Sequence, residues 1–542
     1  GERGLMIDGF TTAVGNYGDL RVHKMLGYLP WLLHENPKSS LVIGFGMGVT
    51  ADSLAQPGTD VVQCAELAPE VLDAGECFSE INTDVLRHPK FEAVIDDGRS
   101  FLLVTEQEFD IITSNAVHAK LSCSLYTEDF YELCRDRLKE GGIMCQWLPS
   151  NWMTEDEYKM LIRSFVEVFP HTSLWGVNDA HTLLLGTPEK VRVDFVPFSE
   201  KFSATKVQRD LAPWDLGKPL AFLAHYVADE DLLTDYVSDV PANTDDTPYV
   251  EFSTEADMRP TMPAMESIMR MRRAADASFV DFAGAGEASA LAGELETYLR
   301  SQNHALHAAV LITYGEYDEA LQEALMARRI NPEHGRARSV LYNVLGSHIS
   351  RAEALRGEGK LREAVELLRE VLRADPGSPS ALVELGLIYR QTGQLERAAE
   401  TIRRAVEAVP NFAEAQRALG LVNMDRGRYE AAAQSLQRAT EINPSDARAH
   451  YYLAVALRQL GRLEEARAAL EASVQLAPRA LPPRMELAAV YEELGRPGKA
   501  AAYLQEVLRI DPGFQPALRA LQRLGTGAGS HPDSPAAPAT AR

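Results

Sequence analysis

The 542-residue sequence predicts an open, mostly parallel α/β sheet domain followed by an all-helical solenoid. Three observations carry this. Short apolar runs alternate with helical patterns between residues 40 and 187. A glycine-rich turn directly follows the first of those runs. Further on, prolines fall at 376, 410, 444, 478 and 512, each 34 residues after the last.

The strands come first. Ser40–Ile43 is a short buried-type strand, Val61–Glu66 a second, Phe91–Ile95 a third, Phe109–Thr113 a fourth and Ile143–Trp147 a fifth. Thr127–Lys139 between them reads as a helix with a lysine in its last turn and a stop at Gly141-Gly142. Units of this length imply a parallel sheet covered by helices on both faces. After a helix over Thr154–Val168, the runs Ser173–Val177 and His181–Leu185 flank an Asn178-Asp179 turn and predict a closing hairpin. Five parallel strands and a terminal hairpin are the layout of class I S-adenosylmethionine-dependent methyltransferase-like (Rossmann-like) folds. Residues 190–254 are less regular, and 255–300 read as an alanine-rich helical connector.

The repeats follow. A proline at 332 stands 44 before Pro376, so the first join carries an insertion. Twelve positions before each proline stands an alanine: Ala320, Ala364, Ala398, Ala432, Ala466 and Ala500. Small residues there let the two helices of a hairpin approach, and the proline ends the second helix. With Leu385-Gly386, Tyr389 and Leu419-Gly420 in the first helices, this is the tetratricopeptide (TPR) pattern. Six units are expected, 301–334 and then 345–378 through 481–514, with a capping helix near Gln515–Leu524 and a low-complexity tail. The expected domains are an N-terminal segment 1–39, a nucleotide-binding domain 40–254, the connector 255–300, TPR repeats 301–525 and a disordered tail 526–542.

Composition narrows the function. A net charge of −24 opposes a nucleic-acid partner, which needs a basic surface. The five cysteines (64, 77, 123, 134 and 145) form no CxxC pair and suit a reducing, cytoplasmic setting. No apolar run is long enough to span a membrane. The chain opens inside a strand-like stretch without an initiator Met, so a fragment or processed chain is expected; whether it is the cytoplasmic part of a longer membrane-associated protein stays open. No His/Cys/Asp cluster has metal-ligand spacing, and no metal is expected.

Gly44, Gly46 and Gly48 let the backbone approach a ligand after the first strand. Glu66 ends the second strand, 18 residues after Gly48, where an acid can take ribose hydroxyls. Asp96, Asp97 and Gly98 end the third strand, where a carboxylate can meet an adenine amino group. Asn115 lies just past the fourth. All stand at carboxyl ends of parallel strands, where open α/β sheets bind ligands. NAD is the rival ligand; the Asp-Asp-Gly and the hairpin favour an adenosyl-sulfonium. No lysine follows the glycines, so a P-loop is excluded.

At these residues the sequence resembles the spermidine/spermine synthase (polyamine aminopropyltransferase) family over roughly residues 5–254. The resemblance rests on Ile7-Asp8-Gly9, His23, Leu29-Pro30, LVIGFGMGVT, AELAPEV, IDDGRSF, LYTEDFYELCRDRLKEGGIMCQWLP and NTDDTPYVEF. It implies a polyamine-biosynthetic transferase using decarboxylated S-adenosylmethionine. Gly44, Gly46 and Gly48 would line the cofactor loop, Glu66 would hold the ribose, and Asp97 with Gly98 would meet the adenine. Asp8, His23 and Tyr126 would face the substrate. The family places an aspartate base after the fourth strand; this chain has Asn115, with His118 as a substitute base or an ordinary loop residue. Met47 replaces an acid in the glycine loop. Thr12, Val22 and Lys24 replace amine-pocket residues, and a lysine there would repel a polycation.

Three functions stay open at this stage: aminopropyl transfer to an amine, a degenerate synthase-like scaffold acting through its repeats, and methyl transfer from S-adenosylmethionine with Lys24 meeting its carboxylate. Val383, Leu387, Arg390, Arg417, Leu421, Arg448, Tyr451 and Arg458 are expected to line a repeat groove that takes a protein or peptide partner. Homo-oligomerisation stays open.

Overall fold

A computed structural model describes residues 4–7, 10–14, 17–115, 119–151, 153–178, 180–251, 262–274 and 277–527. Two compact units emerge, residues 1–344 and 345–542.

In the first unit, β1 (Gly4–Ile7) and β2 (Phe10–Val14) form an antiparallel hairpin leading into helix α1 (Tyr17–Leu33). The main sheet is built from β3 (Ser39–Ile43), β4 (Val61–Glu66), β5 (Phe91–Ile95), β6 (Phe109–Ser114) and β7 (Leu138–Pro149), all parallel. β8 (Thr172–Gly176) and β9 (His181–Gly186) form the expected hairpin, with β9 antiparallel to β7. Two short strands, β10 (Val193–Asp194) and β12 (Val280–Asp281), pair separately, while β11 (Tyr226–Ala228) extends the main sheet. The order β11-β8-β9-β7-β6-β3-β4-β5 reverses direction of growth at β3, between β6 and β4. Such a switch point opens a crevice at the strands' carboxyl ends.

Alternation along β3 feeds two apolar layers. Val42 faces Met25, Leu26 and Leu29 of α1, whereas Leu41 and Ile43 face the layer of Phe130 and Phe165. The helices bearing that second layer are α5 (Glu128–Arg135) and α6 (Glu155–Val168). Thr154 starts α6 with a reciprocal capping box to Glu157. Helix α5 corrects the sequence reading. It ends at Arg135, and Leu138–Glu140 already belong to β7; Gly141, at φ 83°, lies inside that strand and does not stop a helix. β11, inside the stretch read as irregular, was not anticipated.

The hairpin of helices Ala288–Tyr314 and Tyr317–Ile330 also belongs to the first unit, and its Leu306 and Val310 join the layer that holds Phe130. Helix Gly335–Gly357 has 23 residues against 13 in Pro379–Gln391, and this difference of ten equals the excess in the first proline spacing.

The second unit continues the hairpins, from Leu361–Ala374 to the cap Gln515–Gly527. All six alanines that stand twelve positions before the prolines are fully buried. A Cβ on Gly386 would lie 2.3 Å from Ile402 Cγ1, and one on Gly420 2.5 Å from Leu436 Cγ, so glycine sets how close these helices lie. A second series escaped the sequence reading. Gly359, Gly393, Gly427, Gly461 and Gly495 all hold φ between 69° and 79°. Each closes a first helix, and the following N–H reaches back five residues, as Gln394 does to Tyr389 O at 2.8 Å.

The expected groove surface is corrected too. Val383 and Leu421 are core residues. Arg390, Arg417 and Arg458 are tied to acids of the next first-helix: Asp425, Asp446 (3.1 Å), and Glu486 (2.7 Å) with Glu493. Arg356 and Glu384 repeat the pattern at 2.8 Å. These arginines brace successive repeats, which leaves Arg448 exposed and Leu387 and Tyr451 half-buried among the residues named. Among the described residues no helix is long and apolar enough to cross a membrane.

Candidate nucleoside site

β3 is buried to its last residue, so the chain must turn sharply at the sheet's edge to enter helix α2 (Val49–Leu54). Gly44, Gly46 and Gly48 make that turn with φ of 86°, 55° and 77°, conformations that side chains disfavour. A Cβ on Gly48 would meet Phe45 Cζ at 2.6 Å. Phe45 and Met47 are buried beneath the loop, so Met47 is a core residue and not a replacement ligand.

Glu66 reaches this loop directly. Its Oε2 accepts the Phe45 N–H at 2.8 Å and its Oε1 accepts the Ala68 N–H at 3.0 Å. One carboxylate therefore joins the ends of two strands by charge-assisted bonds. The Asp96 N–H donates to Glu66 O at 3.1 Å, and Asp96 Oδ1 accepts the Asp97 N–H. Asp97 caps helix α4 (Gly98–Val104) by accepting the Ser100 N–H at 2.9 Å. Gly98 is required there, because a Cβ would stand 2.4 Å from Ile43 Cγ2. Beside the acids, Leu67 and Ile95 are 70% and 53% exposed. Apolar side chains left open beside strand-end carboxylates suit the walls of a base-binding slot. Sequence reasoning passed over them, although each adjoins an acid already selected.

Asn115 completes the group. Its N–H donates to Ile43 O at 2.8 Å, and its Nδ2 lies 3.2 Å from where a Cβ on Gly46 would be. Its side chain also bonds the His23 imidazole. Burial lowers the His23 pKa to about 4; the Asn115 bond opposes this, and His181 and Lys24 add to it. His23 is therefore neutral at pH 7. The glycine loop, Glu66, Asn115 and His23 thus form one connected set, with Asp96 and Asp97 adjoining it.

Two expected residues are buried. Tyr126 has no exposed surface and is bonded to Gln146, which pairs with Ser114 at the end of β6; burial raises its phenol pKa. Lys24 is buried and donates to Asp52 at 3.0 Å, with Asp210 at 3.8 Å. Lys206 and Tyr28 bind the same Asp210, so Lys24 is balanced inside a charge network and available to neither a polyamine nor a donor carboxylate. Asp8 and His118 lie outside the described residues. Cys123 and Cys145 are buried with thiol pKa values raised by burial, as inert core residues are.

Fold and site define an open α/β domain whose strand order switches at β3, with the glycine loop, Glu66, Asn115 and His23 gathered there. Residues 19–177 match the family model described as spermine/spermidine synthase domain, and residues 355–422, 417–480 and 483–514 match tetratricopeptide repeat models. The chain thus carries a spermine/spermidine synthase domain followed by tetratricopeptide repeats. The polyamine aminopropyltransferase of Thermotoga maritima is 28% identical over 172 residues, covering 31% of this chain and 58% of the relative. That of Nitrosomonas europaea is 31% identical over 171 residues, covering 31% and 52%. This chain therefore spans little more than half the length of these relatives. Among solved structures, a spermidine synthase in complex with the transition-state analogue AdoDATO is 24% identical (34% of this chain, 66% of that one, TM-score 0.32). YrrB, a TPR protein with an unusual peptide-binding site, is 22% identical (37% and 97%, TM-score 0.30).

Proposed function

We propose that the first unit binds an adenosyl-sulfonium, decarboxylated S-adenosylmethionine in the first place, and transfers its aminopropyl group to an amine. One observation carries the reading: the Glu66 carboxylate is bonded to the glycine loop while Asn115 lies over Gly46. Ribose hydroxyls would meet Glu66, the base would lie between Leu67 and Ile95 near Asp97, and the sulfonium would point toward Asn115. The names of the aminopropyltransferase relatives support the reaction class.

In the step itself the amine nitrogen forms a bond to the methylene beside the sulfonium. The carbon–sulfur bond breaks with its electron pair going to sulfur, methylthioadenosine leaves, and the nitrogen gives up a proton. The Asn115 carbonyl can orient the amine but cannot take that proton. His23, with its depressed pKa, is a weak acceptor. That leaves His118, three residues after Asn115, as the base. Asn115 in the family's aspartate position also favours a second reading, a ligand-binding scaffold without turnover. In either case we assign the repeats a peptide partner and the whole a cytoplasmic setting; the free cysteines support the latter.

The test is methylthioadenosine release from decarboxylated S-adenosylmethionine with putrescine or spermidine. Release that is lost in His118→Ala supports transfer. Donor binding without release supports the scaffold, and no binding of any adenosyl compound ends both readings.

A further inference from the structure

Three arginines meet inside the first unit, around the carboxyl end of β8. Arg21 on α1, Arg272 near the end of helix Met262–Ala274, and Arg336 are 3%, 1% and 6% exposed. Arg336 Nη1 donates to Val177 O at 3.0 Å, and Arg272 Nη2 donates to His225 O at 3.1 Å. Arg21 Nη2 lies 2.7 Å from His225 Nε2, and His225 Nδ1 is bonded to Gly176 O. A carbonyl only accepts and a guanidinium only donates. His225 therefore carries its proton on Nδ1 and is neutral, and it contributes no charge of either sign.

Arg272 is the telling member. Its Nη2 is packed against Gly176, where a Cβ would come within 2.6 Å. Its Nε and Nη1 are fully enclosed and have no hydrogen-bond partner among the described residues. A buried donor without an acceptor is costly, and more so when it is charged. Burial and the like charges of Arg336 and Arg21 lower the Arg272 pKa to about 9, and the same arginines help hold His225 and His334 neutral. Guanidinium forks match oxygen pairs on a tetrahedral anion better than a single spherical ion.

We propose that Arg21, Arg272 and Arg336 enclose a small tetrahedral oxoanion, held by the unsatisfied Nε and Nη1 of Arg272 at the end of β8. The site is separate from the donor contacts described above and does not depend on the transfer reaction.

The full chain, purified without phosphate or sulfate and dialysed to equilibrium against labelled inorganic phosphate, is expected to bind about one phosphate, and sulfate is expected to compete. Phosphate is also expected to raise the thermal midpoint above that in gluconate at equal ionic strength. Arg272→Met should lose the bound phosphate and the midpoint response, and Arg272→Gln is the second variant should that protein not fold. Wild-type chain that binds neither oxoanion, that responds equally to chloride, or variants that bind phosphate as before would overturn the assignment.

Discussion

Replacing Glu66 by Gln probes the crevice at its most connected point. The carboxylate accepts from Phe45 N at 2.8 Å and Ala68 N at 3.0 Å. An amide keeps one acceptor and turns an NH₂ toward the other N–H, so one buried backbone donor loses its partner. Hydrogen bonds to charged groups contribute about 1.5–3 kcal/mol, so Glu66→Gln should destabilise the first unit by roughly that much. All five tryptophans lie in that unit, at 31, 147, 152, 175 and 214, so tryptophan fluorescence during urea unfolding isolates its transition from that of the repeats. The same residue is assigned to the ribose. Methylthioadenosine affinity should therefore fall about 10- to 100-fold, the equivalent of roughly 1.4–2.8 kcal/mol. An unchanged urea midpoint together with unchanged affinity would refute the idea that Glu66 both fastens the loop and receives the nucleoside.

Gly386→Ala forces a Cβ to 2.3 Å from Ile402 Cγ1. Overpacking of about 1–3 kcal/mol, less the helical gain of alanine, should destabilise the repeats by roughly 1–2 kcal/mol. Ile402→Ala in the same chain should cost less than the sum of the two changes, as read by circular dichroism. Asn115→Asp should raise methylthioadenosine release by up to about 10²–10⁴-fold if proton removal limits the reaction; an unchanged rate would mean that His118 already suffices. Acid should weaken the first unit. Burial depresses the pKa values of His23 to about 4, His334 to about 3 and His225 as well. The unfolded chain takes up protons below about pH 6.5 while these sites do not, so stability present at neutral pH is lost as pH falls from about 6.5 toward 4. A fluorescence midpoint that stays flat over that window would contradict their neutral burial.

Much of the crevice was legible because strand-end chemistry is local. β4 and β5 have the expected limits, and Gly44, Glu66, Asp97 and Asn115 stand at the expected edge, since apolar runs and the residues that end them are adjacent in sequence. What escaped depends on long-range partners. Lys24 reads as an exposed cation until Asp210, 186 residues away in sequence, is brought to it. Tyr126 reads as a substrate-facing residue until the layer that holds Phe130 encloses it. Arg390 and Arg458 read as groove residues because their acidic partners lie 35 and 28 positions on, in the next repeat. Gly141 reads as a helix stop because its left-handed backbone suits a strand irregularity equally well. The 34-residue glycine series was visible in the sequence and was passed over because the prolines had already supplied the period.

Isothermal titration of the full chain with methylthioadenosine bears most directly on the crevice, since that ligand contains the adenosine without the group transferred. One binding site per chain, weakened 10- to 100-fold by Glu66→Gln and unaffected by Lys24→Met in protein that stays folded, is the expected result. Absence of heat at millimolar ligand, or equal affinity in Glu66→Gln, would show that the glycine turn and its acids serve packing alone.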